Sequence, residues 1–425
     1  MLKINSNEID QGDTFLCLPG EEENIKKAIN NGAACVITDH GEYEVKTIIV
    51  NDTVTYLSNY LKELYFEKLD KIKIIGVVGS TGKTSVEILI TQLLNNLGKK
   101  TAYLEKDKFI IGEKSYHINA NIYNTYELIN KAIDNNCENI VIELSSDSIT
   151  KRIFEGLRFD IILLTNLLTN DSNYINTILE PFKMIKNNGY AIINKNNPNS
   201  EMFVLPQNKN ILYAYENSDY IIKDIFLSYD SLIFNINNKK IELPIIGSYN
   251  AYNFLSAYMV VKSLSYTDEE IIEIANRIQP VEGHYQNIKY EDNLIIIDNA
   301  NNVEKMKNVI KYTKEFIKGK LITIKGLDYK EKEKNEEIKN LLKQTSDYTI
   351  FTMKYQTYEE IEKPDINNED NAEFIVSRKD AIKKGINMLK EKDILLIFGE
   401  DKEIMQNEEY SDYKEIIKNI KGRRK

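Results

Sequence analysis

The stretch Gly76-Val77-Val78-Gly79-Ser80-Thr81-Gly82-Lys83-Thr84-Ser85 constrains what this chain can fold into more than any other. Ahead of it, Ile72, Ile74 and Ile75 begin a β-branched apolar run that Val77 and Val78 continue. Behind it, Val86-Glu87-Ile88-Leu89-Ile90-Thr91-Gln92-Leu93-Leu94 carries apolar residues at helical spacing. A strand, a glycine-bearing turn and a helix in that order are the context of a phosphate-binding loop. The glycines let backbone N–H groups turn toward a polyphosphate, and the helix N-terminus adds a favourable dipole. Gly79, Ser80, Thr81, Gly82, Lys83, Thr84 and Ser85 are therefore the candidate nucleotide-binding residues, with Lys83 reaching the outer phosphates and the Thr84 hydroxyl holding Mg²⁺. The usual pattern has a further glycine where Val77 stands, so the loop is a compact variant. The competing reading is a tight strand-to-helix turn with a surface lysine. The loop predicts binding of a nucleoside triphosphate.

The 425 residues leave room for about three domains. A net charge of −10 argues against a general binder of nucleic acid or anionic membrane, and a local loop can still hold a nucleotide in an acidic protein. Cys17, Cys35 and Cys137 lie far apart and read as small buried residues, without a disulfide framework or a zinc site. His40, His117 and His284 are equally scattered, which gives a histidine-based metal cluster or triad little support. No apolar run reaches the roughly 18 residues of a membrane span, and no signal-peptide core opens the sequence, so a cytoplasmic location is expected. The tail Lys421-Gly422-Arg423-Arg424-Lys425 reads as a frayed, solvated end.

Alternating strand and helix patterns define an α/β protein of three parts, 1–68, 69–280 and 281–425. The first is a small α/β layer ending in an amphipathic helix from Val54 to Phe66. In the second, Asn139-Ile140-Val141-Ile142-Glu143-Leu144 and Asp160-Ile161-Ile162-Leu163-Leu164-Thr165-Asn166 are near-continuous apolar strands, as in the middle of a parallel sheet. Tyr190 to Asn194 repeats that character. Ligands sit beyond the carboxyl ends of such strands, which puts Glu143, Asn166 and Asn194 on one rim with Lys83. A carboxylate at Glu143 suits Mg²⁺ on nucleotide phosphates; the alternative is a strand-end carboxylate capping a loop. In the third part, strands at Leu294–Ile297, Leu321–Ile324, Tyr348–Thr352, Glu373–Val376 and Ile394–Phe398 alternate with helices, predicting a Rossmann-like domain. The charged stretch Lys330 to Glu337 reads as a solvated loop and helix face.

Taken in order, these anchors resemble the Mur ligases, nearest to the branch that adds the third amino acid of the peptidoglycan stem peptide. The resemblance is carried by Gly12-Asp13-Thr14-Phe15 through Pro19-Gly20, Gly76 to Thr84, Glu143-Leu144-Ser145-Ser146, Phe159 to Leu167 and Ala191-Ile192-Ile193-Asn194. Gly247 to Asn253, Ile297-Asp298-Asn299-Ala300 and Asp393 to Gly399 complete it. It implies an N-terminal UDP-binding unit, a central ATPase and a Rossmann-like C-terminal domain. The implied chemistry is ATP-dependent amide formation through an acyl phosphate. Position by position, Lys83, Thr84 and Glu143 match the phosphate and metal groups, Asn250 an adenine contact, and Asp298 an acidic residue brought to the nucleotide on domain closure. Lys183 stands where the family's carbamoylated, catalytic lysine is one reading and an exposed lysine the other.

The departures fall unevenly. Asp147 follows Ser145-Ser146 where the family has His, and Asn170-Asp171 replace an Asp-His pair. His284 after Gly283 replaces an arginine and loses a fixed, bidentate charge. Asp298-Asn299-Ala300-Asn301 stands for Asp-Tyr-Ala-His, and Lys354-Tyr355-Gln356-Thr357 for the Asp-Asn-Pro-Arg signature of the amino-acid site. Glu400-Asp401-Lys402 replaces Lys-Gly-His, and Ser6-Asn7 a Ser-Arg pair associated with UDP. The ATP phosphate groups stay while most muropeptide and amino-acid positions change; Asp147 or Asp171 still offer carboxylates to a metal. Two expectations follow. One is an ATP- and Mg²⁺-dependent acid–amino-acid ligase acting on a UDP-linked, cell-wall-type or otherwise altered carboxylate and an amino acid. The other is a catalytically impaired ATP-binding paralogue, a scaffold or regulator among cell-wall synthesis proteins.

Overall fold

A computed structural model describes the chain except residues 106–107, 215–219, 229–230, 282, 284, 329–330, 354–370, 400–403, 406–407, 410–411 and 424–425. The departures at His284, Lys354 to Thr357 and Glu400 to Lys402, together with Lys330 and the end of the basic tail, lie outside the described residues. The chain divides into two compact units, one of Met1–Asp219 with Ser256–Asp268, the other of Tyr220–Leu255 with Glu269–Lys425.

The first unit opens with a parallel four-stranded sheet of β1 (Leu2–Lys3), β2 (Thr14–Leu16), β3 (Cys35–Thr38) and β4 (Lys46–Ile49), with helix α1 (Asn24–Asn30) between β2 and β3. Helix α2 (Thr53–Leu69) follows, its start fixed by Asp52, whose carboxylate accepts the Val54 and Thr55 N–H groups. α2 buries Leu57, Leu61 and Tyr65 in the same apolar core as the larger sheet that comes next.

That sheet has the order β12-β11-β10-β5-β9-β6-β7-β8. Its strands are β5 (Lys73–Val78), β6 (Thr101–Leu104), β7 (Lys108–Ile111), β8 (Lys114–His117), β9 (Asn139–Glu143), β10 (Phe159–Leu164), β11 (Ile185–Asn194) and β12 (Lys209–Tyr213). β6, β9, β5, β10, β11 and β12 run parallel; β7 and β8 form an antiparallel hairpin at one edge. The central strands β5, β9 and β10 are buried on both faces, which is why their sequences are dominated by Ile, Val and Leu. Helices α3 (Lys83–Asn96), α4 (Ile122–Asp134), α5 (Ser146–Thr150) and α6 (Ser172–Lys183) link them. α4 begins at Ile122, where the Asn121 side chain accepts the Asn124 N–H and starts the helix. The strand that leads into the loop, β5, lies between β10 and β9. The connection from β5 runs to β6 on one side and the connection from β9 crosses to β10 on the other, and a ligand crevice opens at such a reversal.

In the second unit β13 (Ile222–Leu227), β14 (Leu232–Ile236) and β15 (Lys239–Leu243) make an antiparallel sheet. Helices α7 (Tyr249–Ser263) and α8 (Asp268–Ala275) come next, and residues Ser256–Asp268 belong to the first unit. The remaining sheet has the order β16-β17-β21-β18-β19-β20, from β16 (Gln286–Tyr290), β17 (Asn293–Asp298), β18 (Leu321–Leu327), β19 (Tyr348–Met353), β20 (Ala372–Phe374) and β21 (Ile394–Phe398). All its pairs are parallel except β16 with β17. Helices α9 (Val303–Lys314), α10 (Lys332–Thr345), α11 (Arg378–Met388) and α12 (Asp412–Arg423) alternate with these strands as the sequence predicts. The three cysteines are buried and unpaired.

Candidate active site

The loop between β5 and α3 takes its shape from two glycines. Gly79 has φ +142°, and a Cβ there would stand 2.1 Å from the Thr165 Oγ1 and 2.9 Å from the Asn166 carbonyl oxygen. Gly82, at φ +75°, is the left-handed residue from which α3 starts. Side chains from the end of β10 hold the loop in place. The Thr165 hydroxyl donates toward the Thr81 carbonyl at 3.0 Å and the Val78 carbonyl at 3.2 Å. Asn166 accepts the Thr81 N–H at 2.9 Å and donates to the Thr81 hydroxyl at 2.8 Å, while its carbonyl accepts the Ser80 N–H. The Tyr174 hydroxyl, from α6, donates to the Gly79 carbonyl at 2.9 Å. Asn194 in turn supports Thr165, donating to its carbonyl at 2.9 Å.

Glu143 ends β9 in register with Val77 of β5, and its carboxylate faces the first turn of α3. Thr84 Oγ1 donates to Glu143 Oε2 at 2.5 Å, and Lys83 Nζ lies 3.9 Å from Glu143 Oε1. Lys83 Nζ also donates to the Gly79 carbonyl at 3.0 Å, so the ammonium stands over the loop. Both charged side chains are largely shielded, 16% and 14% exposed, which strengthens their attraction over that of a surface pair. Gly79 to Ser85 and Glu143 thus converge at the carboxyl edge of β5 and β9. A hydroxyl, a carboxylate and an ammonium beside a loop with no room for a side chain suit a magnesium–phosphate group, because Mg²⁺ takes one or two protein oxygens and completes its shell with phosphate and water. Among the described residues no cluster of three His, Cys, Asp or Glu would hold a metal by itself.

Beneath Glu143 sits a carboxyl that sequence reasoning passed over. Glu87 on α3 is wholly buried; its Oε1 accepts the Glu143 N–H at 3.0 Å and its Oε2 has no partner. Burial, then the charges of Glu143 and Glu105, push its pKa well above the usual carboxylate range. The signal was available: Glu87 shares a helical face with Ile90 and Leu94, an apolar stripe on which an acid is out of place.

The structure does not bring Lys183 to Lys83 and Glu143. It ends α6, two residues before Ile185, which pairs with Phe159 at the start of β10. Arg158, just before that strand, donates to the Lys183 carbonyl. Lys183 therefore stands at the amino edge of the sheet, a full strand length from Lys83 and Glu143. Its ammonium meets Glu180 at 2.6 Å, both side chains 53% exposed. In this structure Lys183 is an exposed, ion-paired lysine. Of the two acids offered as metal ligands in place of histidine, Asp147 pairs with Lys151 at 2.9 Å in an exposed contact, and Asp171 caps α6 through the Asn173 N–H.

In the second unit, Asn250 is buried near the start of α7, donating to the Ile246 carbonyl at 2.7 Å and accepting from Asn253. Asp298 ends β17, accepting the Tyr285 N–H at 2.9 Å and the Ala300 N–H at 2.8 Å. Burial raises its pKa to about 6 against the pull of those two N–H groups and of Lys305.

A glycine loop at the switch point of one mostly parallel sheet, with a second mostly parallel sheet in the other unit, defines a two-unit α/β class. The Mur ligase middle domain family matches residues 77–261, and the Mur ligase glutamate ligase domain family matches residues 277–400. The chain belongs to the Mur ligase family. It is 27% identical over 462 residues to a UDP-N-acetylmuramoyl-L-alanyl-D-glutamate–2,6-diaminopimelate ligase 2 of Clostridium acetobutylicum, covering 99% of this chain and 95% of the relative. With the corresponding ligase of Clostridium perfringens it shares 28% identity over 443 residues, at 95% and 90% coverage. A solved UDP-N-acetylmuramoyl-L-alanyl-D-glutamate–2,6-diaminopimelate ligase superposes with a TM-score of 0.76 at 19% identity, over 100% of this chain and 95% of that one. The MurF ligase of Thermotoga maritima, solved in complex with ADP, gives 0.64 at 18% identity over 99% and 98%. Both likenesses establish the fold.

Proposed function

We propose that this protein is an ATP-dependent carboxylate–amine ligase that forms an amide through an acyl phosphate. The observation that carries the reading is the joint approach of the Thr84 hydroxyl and the Lys83 ammonium to Glu143 at the mouth of the glycine loop. The loop N–H groups from Gly79 to Thr84 would cradle the phosphates, with Lys83 balancing charge on the outermost one. Thr84 and Glu143 would hold a magnesium ion, whose chemistry is to neutralise and orient the phosphate oxygens. A substrate carboxylate oxygen then bonds to the γ-phosphorus as the bond to the ADP oxygen breaks. The amine attacks the resulting acyl carbon, loses a proton and expels phosphate. Asn250 and Asp298 are proposed as the adenine and closure groups of the second unit, and the three-part division 1–68, 69–280 and 281–425 as the functional one.

The acceptor is proposed to be a UDP-linked or similar cell-wall carboxylate and the amine an amino acid, by the names of the relatives. Sequence supports an altered amine: in Lys354-Tyr355-Gln356-Thr357 the arginine of the third-residue signature is replaced by Thr357, which carries neither the fixed charge nor the bidentate donors of a guanidinium. The test is phosphate release measured across UDP-muropeptides and amino acids. Acceptor-dependent ADP formation that Lys83→Ala abolishes is the expected result. Nucleotide binding without turnover under every pair would overturn catalysis and leave the scaffold role.

A further inference from the structure

The geometry points to Glu87 as a positioning residue for Glu143: by accepting the Glu143 backbone N–H it pins the end of β9 to α3 and sets where the Glu143 carboxylate stands. The inference rests on the reading of Glu143 as a ligand of the nucleotide-bound cation.

Glu143 is tied to α3 twice. Its carboxylate takes the Thr84 hydroxyl proton at 2.5 Å, and its backbone N–H goes to Glu87 Oε1 at 3.0 Å. Thr84 and Glu87 lie three residues apart, on adjacent turns of one helix. The path from Thr84 through the Glu143 side chain to its own N–H, on to Glu87 and back along the helix is therefore a closed ring of short links. A carboxylate attached at one point would swing about its χ angles; attached at side chain and backbone to the same rigid helix, it has one place to stand. Glu87 supplies the link at a cost, because a carboxyl with no exposure and one unpartnered oxygen is expensive to bury. An apolar side chain would fill the same volume more cheaply and leave the Glu143 N–H without an acceptor. The neighbouring bonds of the loop, from Asn166, Thr165 and Tyr174, fix the glycine turn and do not reach Glu143. Glu87 is the side chain that does so through the backbone.

The experiment compares wild-type protein with Glu87→Gln, which keeps an oxygen acceptor in place, and with Glu87→Met, which keeps the volume without it. Each is titrated with Mn²⁺ in the presence of a nonhydrolysable ATP analogue, with bound metal read by electron paramagnetic resonance. Nucleotide affinity without metal is measured in parallel. Glu87→Met is expected to need roughly ten- to a hundredfold more Mn²⁺ for half-saturation, the usual cost of losing an outer partner of a metal ligand. Its metal-free nucleotide affinity should stay within about twofold, and Glu87→Gln should follow wild type in both. Equal Mn²⁺ requirement in wild type and Glu87→Met overturns the inference while leaving the nucleotide reading intact. Failure of wild type to bind the analogue with metal overturns both. Should Glu87→Met not fold, Glu87→Asp, one methylene too short for the Glu143 N–H, replaces it with the same expected shift.

Discussion

Thr84 and Glu143, fifty-nine residues apart in sequence, meet at 2.5 Å where the first turn of a helix faces the end of a neighbouring strand. The hydroxyl and the carboxylate are a single oxygen-donor unit, and the prediction is that they fail together. Thr84→Val and Glu143→Gln should each weaken Mg²⁺-dependent nucleotide binding. The double variant should lose less than the sum by about 1 kcal/mol or more, since contacting residues couple by 0.5–3 kcal/mol. Calorimetric titration of the four proteins gives the coupling. Strict additivity would mean that the two groups serve the ligand separately.

Gly79 leaves no room for a side chain, so Gly79→Ala is predicted to damage stability and binding at once. The added methyl would meet the Thr165 hydroxyl at 2.1 Å and the Asn166 backbone at 2.9 Å, in a conformation that L-residues rarely adopt. Strain of this kind costs about 1–3 kcal/mol before any clash is counted. A lowered unfolding midpoint in urea, together with loss of nucleotide binding, is expected. An unchanged midpoint would show that the loop is not held as described.

What the sequence made legible was set by how much of each element's physics is local. β5, the glycine turn and α3 announce themselves because apolar periodicity and glycine position are properties of neighbours along the chain. The same holds for β9 ending in Glu143 and for the alternating strands and helices after residue 281. The edge hairpin of β7 and β8 was passed over because its four-residue strands carry Lys and Ser on open faces. α6 was passed over because it begins Ser-Asn-Tyr and contains Pro181; its buried Ile175, Ile178 and Phe182 repeat at helical spacing all the same. The bonds from Thr165, Asn166 and Tyr174 to the loop were out of reach, since each joins residues more than eighty positions apart. Lys183 shows the limit of matching by motif: only the register of Phe159 with Ile185 reveals at which edge of the sheet it lies.

Asp298 predicts a pH dependence. Its carboxyl titrates at about 6 in the folded chain, above its ordinary value of 3.8, because burial disfavours the charge. The folded state therefore holds this proton more tightly than the unfolded state between those two values. Its contribution to stability is fully present below pH 4, declines as pH rises, and is lost above pH 6. The change should be of the order of 2 kcal/mol, because each tenfold gain in proton affinity is worth about 1.4 kcal/mol and partial solvent access weakens the effect. Asp298→Asn removes the titrating group, so the difference in unfolding free energy between wild type and variant should fall across this window. A difference that stays flat between pH 4 and 6 would rule out a raised pKa at Asp298.

Lys183 and Lys83 make opposite predictions from similar chemistry. Both are lysines near the end of a helix in the first unit, yet Lys83 stands over the loop and Lys183 at the far edge of the same sheet. An exposed pair such as Lys183 with Glu180 is worth about 0–1 kcal/mol. Lys183→Ala should therefore change stability by less than about 1 kcal/mol and leave nucleotide binding and any acceptor-dependent ADP formation within about twofold of wild type. Lys83→Ala removes a shielded ammonium at the proposed phosphate cradle. Hydrogen bonds to charged groups contribute about 1.5–3 kcal/mol, so nucleotide affinity should fall by roughly ten- to a hundredfold while the chain stays folded. Parallel binding isotherms and melting curves on the two variants separate the cases. A large loss of turnover in Lys183→Ala, with its melting curve unchanged, would return that residue to the catalytic set and would require the sheet edge it occupies to be reassigned.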